Sequence, residues 1–154
     1  MTITSSTSTN ATPVADARSL GLAHYAARGV LEHVLARHGI TFQQQIALRA
    51  AVTASSPHTP DELVDQIRAS LKADPADIRT ALDELLTGRL LAAEGPHLRA
   101  TDAAHELLAA VAAETAPVSK RIWSDIPAED LAAAGRVLAL VTKRADAELA
   151  VLTS

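Results

Sequence analysis

The sequence predicts a mainly α-helical fold that contains one helix-turn-helix followed by a short β-hairpin. Two helix-start signals lie close together, at Thr59-Pro60-Asp61-Glu62 and at Asp74-Pro75-Ala76-Asp77. Apolar residues recur at helical spacing after each of them. A Gly95-Pro96 turn then separates two short apolar segments, the pattern of a hairpin.

The composition favours close-packed helices. Hydrophobic residues make up 48% of the chain and aromatic residues only 2%, so the core is expected to consist of Ala, Leu and Val. Ala is the strongest helix former. A length of 154 residues suffices for one domain with a real core.

The N-terminal third is expected to hold a tail and two helices. Residues 1–16 are rich in Ser and Thr and carry no basic side chain, which predicts a disordered tail. A first helix is predicted over 17–38, where Gly39 ends it. A second is predicted over 41–54, with four expected core residues: Phe42, Ile46, Leu48 and Val52.

The helix-turn-helix is defined by its caps. Thr59 is the predicted N-cap of one helix, with Pro60 at N1 and Glu62 at N3, and Asp74 is the predicted N-cap of the next. Gly88 offers a C-terminal stop. The predicted apolar faces are Leu63, Ile67 and Leu71 on the first helix, and Ile78, Leu82, Leu85 and Leu86 on the second.

Two further helices are predicted after the hairpin. Thr101 caps one that runs to about Thr115, where Pro117 is expected to kink or end it, and residues 118–123 could add another turn or two. Pro127 opens the last helix, on which apolar residues recur every seven positions. This stripe predicts either a dimer seam or a face packed on the chain's own core. Its residues are Leu131, Leu138, Ala145 and Leu152, interleaved with Ala134 and Val141.

The segment RLLAAEGPHLRATDAAHELL resembles a region of the MarR family of winged helix-turn-helix regulators. The resemblance rests on Arg89-Leu90-Leu91 and on residues 98–107, and extends from about residue 20 to 152. It implies a mainly α winged helix-turn-helix with a short β-hairpin wing and flanking dimerisation helices. Within one domain over 17–154, residues 41–100 would form the winged helix-turn-helix, and residues 17–40 and 101–154 the dimerisation helices. The implied protein is a homodimeric, ligand-responsive regulator that binds double-stranded DNA.

The predicted DNA contacts follow from this layout. Base contacts come from the N-terminal turns of the second helix of the motif, which predicts Arg79 and Thr80 as readers. Lys72 in the turn, together with Arg89 and Arg99 beside the wing, could clamp phosphates. The alternative is that these side chains are ordinary solvated surface residues.

Two features oppose DNA binding. Residues 41–100 carry six basic and eight acidic side chains, and each carboxylate near phosphate weakens non-specific affinity. Asp77 could accept from cytosine N4 or simply help to begin its helix. The wing has only Arg99 beyond its turn, whereas wings of the resembled family usually carry an acidic-x-Arg-Arg element.

The resemblance also implies a cavity between the dimerisation helices and the reading module, which would bind a small, often aromatic or anionic effector. Six side chains are predicted to line it: His24, Tyr25, Arg28, Phe42, Gln45 and Trp123. The first three form a polar group able to hold an anion. Phe42 and Trp123 could instead fill the core.

Several classes of site are excluded. There is no Cys, hence no disulfide or thiol switch. Six histidines occur without a His-x-x-x-His pair, so scattered surface histidines are favoured and no metal site is predicted, while a site that combines His24, His97 or His105 with a carboxylate of another element stays open. No glycine-rich phosphate loop or catalytic triad implies a cofactor or an enzyme. No apolar run long enough to span a bilayer and no secretory signal is present, so a cytoplasmic protein is expected.

Two functions therefore remain open. In the first, a homodimer binds DNA and an effector in the cavity alters that binding. In the second, the scaffold has lost DNA binding and uses its cavity to bind or transform a small molecule, with His24, Tyr25 and Arg28 as the catalytic candidates.

Overall fold

A computed structural model describes residues 12–154 of the chain. Within this range the chain forms six α-helices and one two-stranded antiparallel sheet. The predicted mainly α fold with a single hairpin is confirmed. Residues 1–11 of the predicted tail lie outside the described residues. The elements are α1 (Ala17–Arg37), α2 (Phe42–Thr53), α3 (Pro60–Leu71), α4 (Pro75–Thr87), β1 (Leu91–Glu94), β2 (His97–Ala100), α5 (Asp102–Trp123) and α6 (Ala128–Leu152).

Side-chain caps define the helix starts of the helix-turn-helix. The Thr59 hydroxyl accepts from the backbone N–H of Glu62, and the Glu62 carboxylate accepts from the backbone N–H of Thr59 at 2.8 Å. The Asp74 carboxylate accepts from the backbone N–H of Ala76 at 2.7 Å. Both predicted caps are confirmed. A second capping box, between Thr41 and Gln44, begins α2.

Contacts within the chain define two compact units, divided at Thr115. The first contains a large apolar cluster contributed by α2, α3, α4, the sheet and the start of α5. Burial of these side chains from water is the main stabilising contribution to the unit. The cluster consists of Ala47, Leu48, Leu63, Val64, Ile67, Ile78, Leu82, Leu85, Leu91, Leu98 and Ala104.

A second apolar cluster joins the end of α1 to α5. Val34, Leu35 and Ile40 are buried against Val111, and Phe42 is partly buried beside them. Phe42 therefore belongs partly to the core. Of the other core residues predicted on α2, Leu48 is fully buried, whereas Ile46 and Val52 are only partly buried.

The hairpin pairs Leu91 with Ala100 and Glu94 with His97, and its buried side chains are Leu91 and Leu98. The backbone N–H of Leu98 also donates to the His58 carbonyl at 2.8 Å, which ties the sheet to the segment before α3. Because this hydrogen bond and the buried side chains anchor the hairpin to the helix-turn-helix, the wing is part of one packed module.

The second unit, Ala116–Ser154, contains the end of α5 and all of α6. The α5 helix continues through Pro117 to Trp123, six residues beyond it. Proline has no N–H, so the Ala113 carbonyl loses its helical partner. Ala113 is exposed, and water can hydrate that carbonyl.

No residue of α6 is buried in the chain. No helix within residues 12–154 is long and apolar enough to cross a membrane.

Candidate functional site

Helix α4 presents its predicted reading residues outside its buried core face. Ile78, Leu82 and Leu85 are buried, while Arg79 and Thr80 are exposed. The alternation arises because these apolar side chains are three or four residues apart and share one face of the helix. The buried face thus fixes the orientation in which Arg79 and Thr80 are displayed.

Arg79 and Thr80 both have partners within the chain. Arg79 Nη2 lies 2.7 Å from Oδ1 of Asp61, in the first turn of α3. The two side chains remain 51% and 77% exposed. The Thr80 hydroxyl donates to the Ala76 carbonyl at 3.0 Å. Sequence reasoning missed the Asp61 contact because it joins residues 18 positions apart on different helices.

The other predicted DNA-contact residues end α3, follow α4 or lie in the wing. Lys72 is the C-cap of α3 and takes a left-handed backbone conformation at φ 55°, while its ammonium donates to the Ala69 carbonyl. Arg89, also left-handed at φ 57°, follows the C-cap Gly88. Arg99 Nε lies 3.7 Å from Oε2 of Glu94, a long ion pair within the hairpin.

The left-handed residue after α4 is Arg89 rather than glycine. Gly88, the predicted stop, ends the helix at φ −76°. A Cβ at Gly88 would lie 3.3 Å from the Glu84 carbonyl oxygen, so glycine is favoured there by space. The backbone N–H of Leu90 then donates to the Leu85 carbonyl at 2.9 Å, which satisfies a carbonyl of the last turn.

The predicted ligand residues do not gather in one cavity. Arg28 lies over the Phe42 ring, with its Cζ 4.4 Å from the ring centroid, and its Nε lies 2.9 Å from Oε1 of Glu32. These three side chains line a groove of about 310 Å³ between α1, the start of α2 and α4. Asp77 and Glu84 also line it, so carboxylates outnumber the single guanidinium and disfavour an anionic ligand there.

Gln45 lies at a different cavity of about 470 Å³, bounded by α1, α2 and α5. The Gln45 side chain is only 6% exposed, and its Oε1 is buried without a hydrogen-bond partner. A buried polar atom left unpaired is costly. An occupant that donates a hydrogen bond there would remove that cost. The other lining residues are Leu31, Arg49, Val52, Thr53, Leu108, Val111, Ala112 and Thr115.

The remaining predicted ligand residues are exposed. The His24 and Tyr25 rings pack edge to face with centroids 5.8 Å apart, and both side chains face solvent. Arg28 makes its ring contact with Phe42 instead. Trp123, in the second unit, is 57% exposed in the chain.

Arg49 is the one charged residue among the cavity residues that the sequence reasoning missed. It lies four positions after Gln45 on α2, so the two share a helix face. That spacing was a usable signal. The remaining walls come from α1 and α5, whose approach to α2 depends on tertiary packing.

The arrangement of helices and hairpin matches known structures. Staphylococcus aureus MarR in complex with salicylate and kanamycin superimposes with a TM-score of 0.70 at 18% sequence identity, over 82% of this chain and 87% of that one. The chain has the MarR fold. The resemblance predicted from the sequence is confirmed by this match.

Two further structures show the same MarR fold. A MarR family transcriptional regulator from Streptomyces coelicolor has a TM-score of 0.69 at 18% identity, with 84% of this chain and 91% of that chain covered. CouR from Rhodococcus jostii RHA1 bound to p-coumaroyl-CoA has a TM-score of 0.66 at 18% identity, with 78% and 86% covered. No family model matches the sequence, and none of the curated proteins matches it.

A charged cluster holds α1 to α5 in this MarR fold, beside the Gln45 cavity. His38 Nε2 lies 2.8 Å from Oε1 of Glu114, and the Arg37 guanidinium pairs with the other carboxylate oxygen. The pKa of Glu114 is lowered from its ordinary value of 4.5, chiefly by the hydrogen bond from His38. Burial opposes this shift, and the charges of Arg37 and His38 support it.

Glu114→Gln is expected to reduce stability in a pH-dependent way. Because the folded pKa of Glu114 is lowered, its stabilising contribution is present above pH 4.5 and is lost as pH falls through the lower folded value. The denaturant midpoint of the variant should lie below that of the wild type near neutral pH, and the two should converge in acid. Glu106→Gln, an exposed change on the same helix, is the control and should show no such convergence. A difference that is constant across pH would contradict the assignment.

Proposed function

We propose that this protein is a homodimeric, ligand-responsive transcriptional regulator that binds double-stranded DNA through α4 and the wing. The observation that carries the proposal is the display of Arg79 on the exposed face of α4, whose other face is fixed in the core of a MarR fold. In helix-turn-helix proteins the N-terminal residues of the second helix contact base edges. Arg79 lies in the second turn of α4.

The charge distribution shapes how this surface would bind. Arg79 and Arg99 are each paired with a carboxylate, and residues 41–100 carry more acidic than basic side chains. Non-specific attraction to phosphate is therefore weak, and specific contacts must supply a larger share of the affinity. This also supports a second candidate, a scaffold that no longer binds DNA and acts through its cavity.

Arg79→Ala is expected to weaken binding to a duplex selected by the wild-type protein from a random library. The expected loss is about tenfold, within the range for one arginine contact to a base. Fluorescence anisotropy from about 50 to 200 mM salt would measure it, since phosphate contacts lose affinity steeply over this range. Arg18→Ala, an exposed change in the first turn of α1, is the matched control.

Two outcomes would oppose this assignment. Equal effects of the Arg79 and Arg18 changes would remove α4 from the DNA interface. If the wild-type protein selects no duplex and binds none at the lowest salt, the second candidate is favoured. The Gln45 cavity then becomes the place to look for function.

The apolar surface of α6 supports the homodimer. Several large side chains of this helix are at least two-fifths exposed, among them Leu138 and Val141 on the seam predicted from the seven-residue spacing. Large exposed apolar patches mark interaction sites, and a second copy of the chain is the commonest partner for such a helix. The exposed apolar residues of α6 are Val137, Leu138, Leu140, Val141, Leu149, Val151 and Leu152.

Leu138→Glu is expected to convert a dimer into a monomer, because a charge buried in an apolar interface without a partner is strongly unfavourable. Sedimentation equilibrium would measure the mass. Lys143→Glu changes the net charge by more but lies off the predicted seam, and should leave the dimer intact. If the wild-type protein sediments as a monomer, the proposed dimer is contradicted. If both variants sediment as dimers, the seam through Leu138 is contradicted.

The Gln45 cavity is the proposed effector site. Its walls are mainly apolar, its buried Oε1 requires a donor, and Arg49 adds a cation. These features suit a small aromatic molecule with a hydroxyl and an acidic group. The proposal gains support from the ligands named for two structures of the same fold, salicylate in S. aureus MarR and p-coumaroyl-CoA in CouR.

Salicylate is expected to raise the Tm of the wild-type protein with increasing concentration, because a ligand that binds only the folded state stabilises it by mass action. Gln45→Leu should abolish most of that shift, since it removes the acceptor while keeping an apolar wall. Gln43→Leu on the same helix lines the other groove and should retain the shift. Equal shifts in both variants would place the ligand elsewhere, and no shift in the wild type would contradict this ligand class.

A further inference from the structure

We propose that Asp61 competes with DNA for Arg79 and thereby lowers both the affinity of α4 for DNA and its dependence on salt. The inference rests on the proposed DNA binding. It deepens that function by assigning a regulatory role to an α3 residue outside the predicted contact set.

Asp61 is placed for this role by the cap of α3. Thr59 and Glu62 satisfy each other's backbone N–H groups and so fix the first turn of the helix. The Asp61 carboxylate takes no part in that cap, and its Oδ1 lies 2.7 Å from Nη2 of Arg79. Because the backbone of Asp61 is fixed and its carboxylate is not used in the cap, Asp61 provides Arg79 with an acidic partner in a defined position.

The pair can open when DNA approaches. Both side chains are more than half exposed, and exposed ion pairs are weak because water and salt screen them. A phosphate or the O6 and N7 atoms of guanine offer the guanidinium the same kind of acceptor as a carboxylate. Arg79 can therefore exchange Asp61 for DNA without any change in the fold.

The exchange leaves a carboxylate unpaired beside DNA. Because Asp61 lies within ion-pair distance of Arg79, it remains close to the bound backbone and repels it. Asp61 thus opposes binding in two ways, by holding Arg79 beforehand and by repelling phosphate afterwards. Loss of the carboxylate should remove both effects.

The same exchange predicts a change in salt dependence. An arginine that binds phosphate normally releases one condensed counterion from DNA. When the arginine comes from an ion pair, the stranded carboxylate takes up a cation from solution and cancels part of that release. The slope of log affinity against log salt should therefore become steeper by about one when Asp61 is neutralised.

Asp61→Asn is the test. Asp65→Asn is the matched control, because this variant removes the same charge one turn later on the same helix. The probe is a duplex selected by the wild-type protein, and a random-sequence duplex is measured in parallel. The expected result is a gain in affinity of about two- to fivefold at low salt for Asp61→Asn, with a steeper salt slope. The gain for Asp65→Asn should be smaller and the slope nearly unchanged.

A double-mutant cycle separates pairing from simple charge. Arg79→Ala should weaken binding more in the Asp61→Asn background than in the wild type, because only there is the arginine unopposed. Equal gains for the two asparagine variants, or strict additivity with Arg79→Ala, would overturn the proposal while leaving DNA binding in place. Absence of DNA binding by the wild type and by every variant at the lowest salt would instead remove the proposed function, and this proposal with it.

Discussion

The contact on which the rest of this structure depends is the burial of one face of α4. Ile78, Leu82 and Leu85 enter an apolar cluster to which α2, α3 and the wing also contribute. Truncation of one such side chain typically costs about 2–5 kcal/mol, a large part of the stability of a domain this size. Because that face is fixed, the exposed side of α4 has only one orientation to solvent, and Arg79 is displayed there. The proposed DNA contact is a consequence of core packing.

The second constraint is electrostatic. On the surface of this core, three arginines each form an ion pair with a carboxylate. The pairs are Arg79 with Asp61, Arg99 with Glu94, and Arg28 with Glu32. Each pair is exposed and adds little to stability, so its main effect is on what the surface attracts. A reading surface with paired arginines binds phosphate weakly in general, and it must rely on contacts that replace the acidic partner well. Under the proposed function, such a surface would favour a duplex whose bases add contacts to α4 over random DNA, since base contacts carry the specificity.

Much of the fold was predictable from the sequence because its signals are local. The caps at Thr59 and Asp74 and the Gly95-Pro96 turn each act within four residues, and the structure has them where the sequence predicts them. The candidate site was less predictable. Gln45 lines one cavity with Leu31 and Val111 only after three helices pack together. The Asp61–Arg79 contact joins two helices through the geometry of their turn. Pro117 shows the same limit, because whether a proline ends a helix depends on whether water can reach the carbonyl it leaves unpaired.

Helix α2 connects the proposed effector cavity with the proposed reading helix. Its Gln45 lines the cavity, while Ala47 and Leu48 on the same helix belong to the cluster that fixes α4. A ligand shifts a conformational equilibrium only by the difference in its affinity for the two states. The unpaired Oε1 of Gln45 supplies a source for such a difference, because a donor gains most from the state in which that oxygen has no other partner. An effector that donates there would favour this position of α2. Through Leu48 it would favour the matching position of α4, so DNA affinity and cavity occupancy would be linked by packed side chains rather than by any contact between ligand and DNA.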